Sequence, residues 1–460
     1  MTLARNVSDY LRKCRLEVAP SLISGSDSFR NLSQVVVIPA LAEKRHLFKT
    51  LASLARNDPK ELERTLIICV INNRPFPFVS GEALQNNQET LAILEDLTAG
   101  RRPSAEKNNA DSRESFREIL QSRLRLAYLD ASSAGQGMPV KQGGVGLARK
   151  MGLDAGLAVM DHEKSGDGRL LCLDADSPVA ENYFSAIRQF YESHNSDAAV
   201  VSYAHPFPDD PLLLAAICNY EIFLRYYVLG LNYAESPYAF HTVGSTMSCT
   251  ARGYVAVRGM NRREAGEDFY FLNKLAKLSP MGKITRTRVY PSSRPSRRVP
   301  FGTGRRMSDC LEGRDRKDVF YDPRVFSVLK KWQKEMRDCI AEGGNFMLKL
   351  AGDISPHLVF FLEAVNFPSA WDRICRTHKN PEKRAWHFQE WFDAFQTLKL
   401  IHYLTKVSCP AVELWQAVPI LLEWAEQPVP ESLRVFHSGN SPGLAEHIEL
   451  LQHLRDIEQG

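Results

Sequence analysis

Four short apolar segments constrain this chain more than any other feature: Gln34 to Ala40 (QVVVIPA), Thr65 to Asn73 (TLIICVINN), Leu124 to Asp130 (LRLAYLD) and Leu171 to Asp176 (LCLDAD). Runs this short and this continuously apolar predict strands buried on both faces, as in a parallel sheet. The first is built of β-branched residues and is stopped by Pro39. Helix-period segments lie between the strands. One has Leu47, Leu51 and Leu54 on a single face, and Gly144 to Val159 reads as another helix, followed by an Asp167-Gly168 turn. Such alternation predicts an α/β sheet.

The pattern continues with a helix over Glu181 to His194, a strand over Ala198 to Tyr203, and a strand and short helix within Thr246 to Met260. A helix over Glu267 to Leu278 puts Phe271, Leu275 and Leu278 on one face. Lys283 to Val289 (KITRTRV) alternates like a strand. A polar stretch from about 75 to 117 reads as an insertion with a helix near Glu89 to Leu97 and a mobile tip. Beyond residue 307 the strand signal fades. Helices are expected over 323–343, 369–378, 381–407, 412–426 and 443–458. The expected organisation is an N-terminal helical extension (1–33), a sheet-bearing domain (34–306, with the insertion) and a helical C-terminal domain (307–460).

A chain of 460 residues accommodates roughly two or three domains. No stretch approaches the ~18 uninterrupted apolar residues of a membrane span. Leu212 to Tyr233 comes nearest, but Glu221 and Arg225 interrupt it. Pro211 to Leu229 is apolar nearly all round, so it is expected to be buried or to meet a greasy ligand. The first residues lack an apolar signal core, so a secretory leader is not expected. Nine cysteines without a C-x-x-C pair argue against a disulfide framework or zinc site and favour a reducing cytoplasm. The net charge is +4, yet Lys283 to Arg306 holds eight Lys or Arg and no acid, leaving 4 − 8 = −4 elsewhere. The basicity is therefore local.

Chemistry concentrates at the end of the fourth apolar segment. Asp174 and Asp176 are spaced i, i+2, which on a strand places both side chains on one face. Two such carboxylates suit a hard cation, Mg²⁺ or Mn²⁺, completed by substrate phosphates. Three other motifs stand in order around them: I-P-A-L-A-E (Ile38 to Glu43), K-Q-G-G-V-G-L-A-R-K-M-G (Lys141 to Gly152) and V-R-G-M-N-R-R-E-A-G-E-D-F-Y-F-L (Val257 to Leu272).

This order and spacing resemble the family 2 glycosyltransferases of the GT-A fold, over roughly residues 34 to 300. The resemblance implies a nucleotide-diphospho-sugar transferase-like mixed sheet flanked by helices. It implies an inverting, metal-dependent transfer of a sugar from a nucleotide-diphosphate donor to an acceptor hydroxyl. By the same resemblance Asp176 would bind the metal, and Asp174 would touch the ribose or share the metal. Asp268 would be the general base. Pro39, Ala40, Glu43, Asn72 and Asn73 would meet the nucleotide, and Arg149 matches a basic position of the Gly-rich helix. Two departures stand out: Ala42 replaces the usual Asn of P-x-x-N-E, and the Q-x-x-R-W motif of processive members is missing. The expected acceptor is a glycan or lipid-linked glycan, with peripheral contact at the inner face of a membrane left open.

The basic segment fits the same demand. Arginine forks match phosphate oxygens, so Arg294, Arg297 and Arg298 are expected to close over the donor diphosphate. Few aromatics interleave, which disfavours nucleic acid. Plainer readings remain beside these. The two aspartates could form an Asx turn. Glu267 and Asp268 could be first-turn acids favoured by the helix dipole. The arginines could be a solvated linker or an anionic-surface patch, and the glycines from 143 to 146 could serve tight packing. His241 is a candidate metal or acceptor ligand, His205 a weaker one, and both could be structural. As function classes, a nucleotidyltransferase and an inactive sugar-nucleotide sensor or scaffold stand as alternatives.

Overall fold

A computed structural model describes residues 2–14, 16, 20–25, 29–104, 110–162, 167–298, 300–314, 319–434 and 443–459. The chain forms two compact units. The first takes in Met1–Pro206, Thr242–Ser293 and Arg298–Phe301; the second takes in Phe207–His241, Arg294–Arg297 and Gly302–Gly460. These differ from the boundaries expected at 33 and 306, because the apolar helix Pro211–Tyr233 belongs with the C-terminal helices.

The first unit is built on an eight-stranded mixed sheet. In chain order the strands are β1 (Leu22–Ser24), β2 (Gln34–Ala40), β3 (Thr65–Asn72), β4 (Arg125–Ala131), β5 (Arg169–Cys172), β6 (Ala198–Tyr203), β7 (Met247–Thr250) and β8 (Gly282–Val289). Their spatial order is β1-β4-β3-β2-β5-β7-β6-β8. Strands β4, β3, β2 and β5 run parallel, whereas β7 is antiparallel to both its neighbours and β1 is antiparallel to β4. Every residue of β2 and β3 is buried, which is why these segments read as unbroken apolar runs. Fully burying one such Val, Ile or Leu contributes roughly 1.5–3 kcal/mol.

Helix Val145–Val159 lies against β2 and β3. A Cβ at Gly152 would come within 2.3 Å of Val37 Cγ1, and one at Gly156 within 2.5 Å of Val35 Cγ1. Close helix–sheet contact therefore accounts for these two glycines.

The polar stretch after β3 is a structural layer rather than an insertion with one short helix. It forms helices Gly81–Thr98 and Ala110–Gln121, the first packed on β3 and β4 through Leu91, Leu94 and Leu97. Residues 105–109 of this stretch lie outside the described residues, and the expected mobile tip has no stated position within it.

In the second unit the helix expected over 381–407 is two, Pro381–Trp391 and Ala394–Val407. Asp393 caps the latter by accepting the backbone N–H groups of Phe395 and Gln396 at 3.0 and 3.1 Å. Helices Gly344–Ile354 and Pro356–Ala364 fill a stretch that carried no expectation. Pro211–Tyr233 is long and apolar enough to cross a membrane. Its Cys218, Ile222, Tyr226 and Leu231 are nonetheless buried among Trp332, Phe326, Leu421 and Leu451 in the helical core.

Candidate functional site

The sheet order itself locates a site. From β2 the chain continues on one side to β3 and later on the other side to β5. Where strand order diverges in this way, a crevice opens at the carboxyl ends of the strands. Leu41 to Glu43 follow β2 there, and Leu173 to Asp176 follow β5. Pro39 and Ala40 are buried in the last turn of the pleat of β2. The final β2–β5 bond runs from Leu173 N–H to Val37 O at 3.0 Å, so residues 35, 37 and 39 face β5. Pro39, without an N–H, thus faces the side on which β5 has ended, and no ladder bond is lost.

The two aspartates do not sit on the strand. β5 ends at Cys172, and Asp174 to Ser177 form a turn in which Ser177 N–H donates to Asp174 O at 3.1 Å. Thr50 Oγ1 pins this turn by donating to Ala175 O at 2.9 Å. Asp and Ser favour turns over ladders, so the strand-pleat argument for convergence gives way to turn geometry. Both carboxylates are half-buried.

Arg149 joins this turn to the acidic pair. Its Nη2 lies 2.6 Å from Asp174 Oδ1, and its Nη1 pairs with Glu267 Oε1. The Arg149 side chain is 3% exposed, Glu267 5% and Asp174 38%. Glu267 and Asp268 open helix Glu267–Leu275, preceded by Gly266 in the left-handed region (φ 68°). Gly244 makes room for the guanidinium, since a Cβ there would stand 2.4 Å from Nη2. Burial opposes the charge on Arg149, but the Asp174 and Glu267 carboxylates outweigh it and raise its pKa. Burial pushes Glu267 up to about 7, against the pull of Arg149, and the neighbouring Asp268 charge adds to the rise. Asp268 is raised too, by burial first, with Arg149 opposing. Asp268 Oδ1 accepts the Phe269 N–H at 2.7 Å, and its side chain remains half-buried.

A second polar cluster occupies the ends of β3 and β4. Asn87, from helix Gly81–Thr98, donates through Nδ2 to Asn72 O (3.2 Å), Asn73 Oδ1 (2.9 Å) and Ser132 Oγ (3.2 Å). Its Oδ1 accepts the Ala42 N–H at 2.8 Å, so one amide ties three strand ends together. Asn72 Oδ1 is buried and has no hydrogen-bond partner among the described residues. Asp130 Oδ1 accepts the N–H groups of Ser132 and Ser133 at 3.0 and 2.9 Å. Asn87 and Ser132 carried no expectation from sequence. The signal was there for Asn87: it shares a face with Leu91 and Leu94 at i+4 and i+7, a polar residue on an apolar stripe. Ala42 takes φ 54°, a left-handed backbone that costs a non-glycine residue roughly 1–2 kcal/mol.

The three arginines expected on a diphosphate divide between the units. Arg298 is in the first, where Nη1 lies 2.6 Å from Leu41 O and 2.5 Å from Glu43 Oε1. Glu43 is therefore held by an arginine in this structure. Arg294 and Arg297 belong to the second unit, and Arg297 pairs there with Glu312. His241 is also in the second unit, its Nε2 lying 2.8 Å from Glu458 Oε1. His205 is buried, its ring edge-on to Tyr203 at 5.5 Å.

Among the described residues, no group of three or more His, Cys, Asp or Glu is placed to hold a metal ion. The turn instead offers two half-buried carboxylates, with Asp174 already engaged by Arg149. Two carboxylates are a donor type that could hold a hard divalent ion completed by substrate phosphates.

No protein-family profile and no curated protein matches the sequence. Solved structures similar to the chain include residues 1–349 of TarS from S. aureus, in complex with UDP-GlcNAc. That match has 13% identity and a TM-score of 0.35, covering 78% of this chain and 91% of that one. The mannosyltransferase PcManGT from Pyrobaculum calidifontis, in complex with GDP-Man and Mn²⁺, is another. It has 12% identity and a TM-score of 0.34, covering 99% of this chain and 93% of that one.

Proposed function

We propose that the first unit is a glycosyltransferase that moves a sugar from a nucleotide-diphosphate donor to an acceptor hydroxyl, with inversion and with help from Mg²⁺ or Mn²⁺. The observation that carries this reading is Arg149, which binds the L-D-A-D turn and the E-D helix into one site beside the switch point of the sheet. Three of the four sequence motifs, the Gly-rich helix, the L-D-A-D turn and the E-D pair, thereby meet at one residue, which supports the reading.

The residues divide the work. Glu267 is locked against Arg149 and fixes the helix start. Asp268, half-buried next to it, takes the proton from the acceptor hydroxyl. The hydroxyl oxygen bonds to the anomeric carbon as the bond to the diphosphate breaks, and the nucleoside diphosphate leaves. A divalent ion on Asp176, with Asp174 beside it, would supply charge stabilisation to that leaving group. Arg298 would add a second cation by exchanging Glu43 for a phosphate oxygen. The buried Asn72, Asn73 and Asn87 cluster would present amide groups to the nucleoside. A glycan or lipid-linked glycan is the acceptor in this reading, reached from the cytoplasm at the inner face of a membrane.

The test is a screen of nucleotide sugars for donor cleavage with Mg²⁺ or Mn²⁺, comparing the parent protein with Asp176→Ala and Asp268→Asn. Turnover abolished by both supports the assignment. Activity kept in Asp268→Asn retires it as the base. Tight donor binding with no turnover of any donor favours an inactive sugar-nucleotide-binding protein, the reading that Ala42 supports. Pyrophosphate release would instead point to a nucleotidyltransferase.

A further inference from the structure

The N-terminal helix Leu3–Cys14 buries Val7 and Tyr10, an i, i+3 pair on one face. Val7 is ordinary packing. Tyr10 is different, because its hydroxyl enters a buried ionic cluster on the helix that carries Arg149. It donates to Asp154 Oδ1 at 2.8 Å and accepts from Lys150 Nζ at 2.7 Å. Tyr254 donates to the same Asp154 oxygen at 2.8 Å, and Lys150 Nζ lies 2.9 Å from Asp154 Oδ2. Lys150 and Asp154 are an i, i+4 pair with side chains 4% and 3% exposed. Lys150 directly follows Arg149, so a rotation of helix Val145–Val159 that disturbed one would swing the other.

Two further contacts connect Tyr10 to the acidic helix. Its ring stands edge-on to Tyr254 at 5.6 Å, and Tyr254 stands edge-on to Phe271 of helix Glu267–Leu275 at 6.0 Å. The hydroxyl also presses on Gly259, whose φ is 74° and where a Cβ would come within 2.0 Å of it. Two residues on, Asn261 Nδ2 donates to Glu267 O at 2.8 Å. A phenylalanine would fill the same apolar space, so the hydroxyl serves the polar cluster.

We propose that Tyr10 is a positioning residue: its hydroxyl, bridging Lys150 and Asp154 under Gly259, holds the Arg149 helix and the Glu267–Asp268 helix in register with each other. The N-terminal helix is thus a working part of the transferase site, and the proposal rests on the glycosyl-transfer reading above. The hydroxyl is not itself a proton donor in the reaction, since burial and Asp154 keep it protonated.

The experiment compares the full chain with Tyr10→Phe by two readouts. The first is kinetic. Misplacing a reacting geometry by a fraction of an ångström is expected to lower kcat roughly tenfold to a hundredfold with donor KM nearly unchanged. Weaker contact with Arg149 should also move the acid limb of the kcat profile to higher pH, because Arg149 lowers the carboxylate pKa values. A purely structural tyrosine would lower the melting temperature and leave kcat per folded molecule and the limb in place; that result overturns the proposal. The second readout needs no substrate. Amide hydrogen exchange should rise in helix 267–275, which the Tyr10 hydroxyl does not touch, as well as in 145–159. Change confined to residues 3–14 overturns it. If the parent protein turns over no donor, the transferase reading fails, and the exchange measurement alone still decides the positioning.

Discussion

Each unit contains a buried cluster of arginines and carboxylates, and the two are built differently. In the second unit Glu221 is held between Arg225 and Arg455, and Glu458 contacts both Arg225 and His241. Arg225 Nη2 and Arg455 Nε lie 2.7 Å from Glu221 Oε1, and Arg225 also pairs with Glu458. In the first unit the single guanidinium of Arg149 faces Asp174, Glu267 and Asp268, one charge against three. Carboxylates each matched by a guanidinium suit a cluster that only holds helices together. An excess of carboxylate, with Glu267 and Asp268 raised in pKa and the side chains of Asp174 and Asp268 half-buried, suits a site that awaits a cation or takes up a proton.

The sharpest way to break this contrast is to remove one member from each cluster. Glu221 is fully buried, and Glu221→Gln leaves two arginines that cannot discharge by losing a proton. A stability loss of about 3–5 kcal/mol is expected in denaturant unfolding, with donor turnover per folded molecule unchanged. Arg149→Met should behave in the opposite sense. Glu267, already at about 7, can take a proton, which softens the stability loss to roughly 1–2 kcal/mol near neutral pH. Turnover should fall by about 10²–10³, as when a preorganised charge is removed. Equal stability losses in the two variants, or full activity in Arg149→Met, would show that the charge imbalance has no functional meaning.

Much of this contrast was invisible in the sequence, for physical reasons. The strands QVVVIPA and TLIICVINN were legible because full burial on both faces leaves an unbroken apolar signature. The Asp-x-Asp and Glu-Asp motifs were legible as chemistry, and Arg149 by its place in the Gly-rich helix. Their junction was not, because the pairing of Arg149 with residues 25 and 118 positions away depends on the sheet order. Tyr10 and Asn87 each put one polar group on an otherwise apolar helix face, a pattern that signals a buried partner but does not say which one. The allocation of Pro211–Tyr233 to the helical unit was hidden for the converse reason: a helix apolar all round does not reveal which core it enters.

A smaller effect separates the clusters by pH. The folded-state pKa of Glu267 is raised from 4.5 to about 7, so the folded protein binds this proton more tightly than the unfolded chain. The associated stability is therefore fully present below about pH 4.5 and is lost as pH rises through about 7. Glu267→Gln should remove a slope on the order of 1–3 kcal/mol across that window; the raised Asp268 acts in the same direction and leaves a residue of it. Unfolding measured at several pH values checks this. An unchanged slope would place the titrating group elsewhere.

The smallest effect tests whether the arginine segment belongs to the site at all. Arg298 is partly exposed, at 36%, and its pair with the buried Glu43 sits at the rim, so Arg298→Ala should cost only about 0–1 kcal/mol of stability. If Arg298 is there to meet a diphosphate, the same substitution should weaken nucleoside diphosphate binding by about tenfold, and raising salt should narrow the gap between the two proteins. Glu43→Gln provides the opposite lever. It removes the charge that competes with phosphate for the guanidinium, so binding should tighten where Arg298→Ala weakens it. Calorimetric titration of both variants in which affinity moves in the same direction would show that the pair is a structural clasp at the end of β2, and that the phosphate is held by other groups.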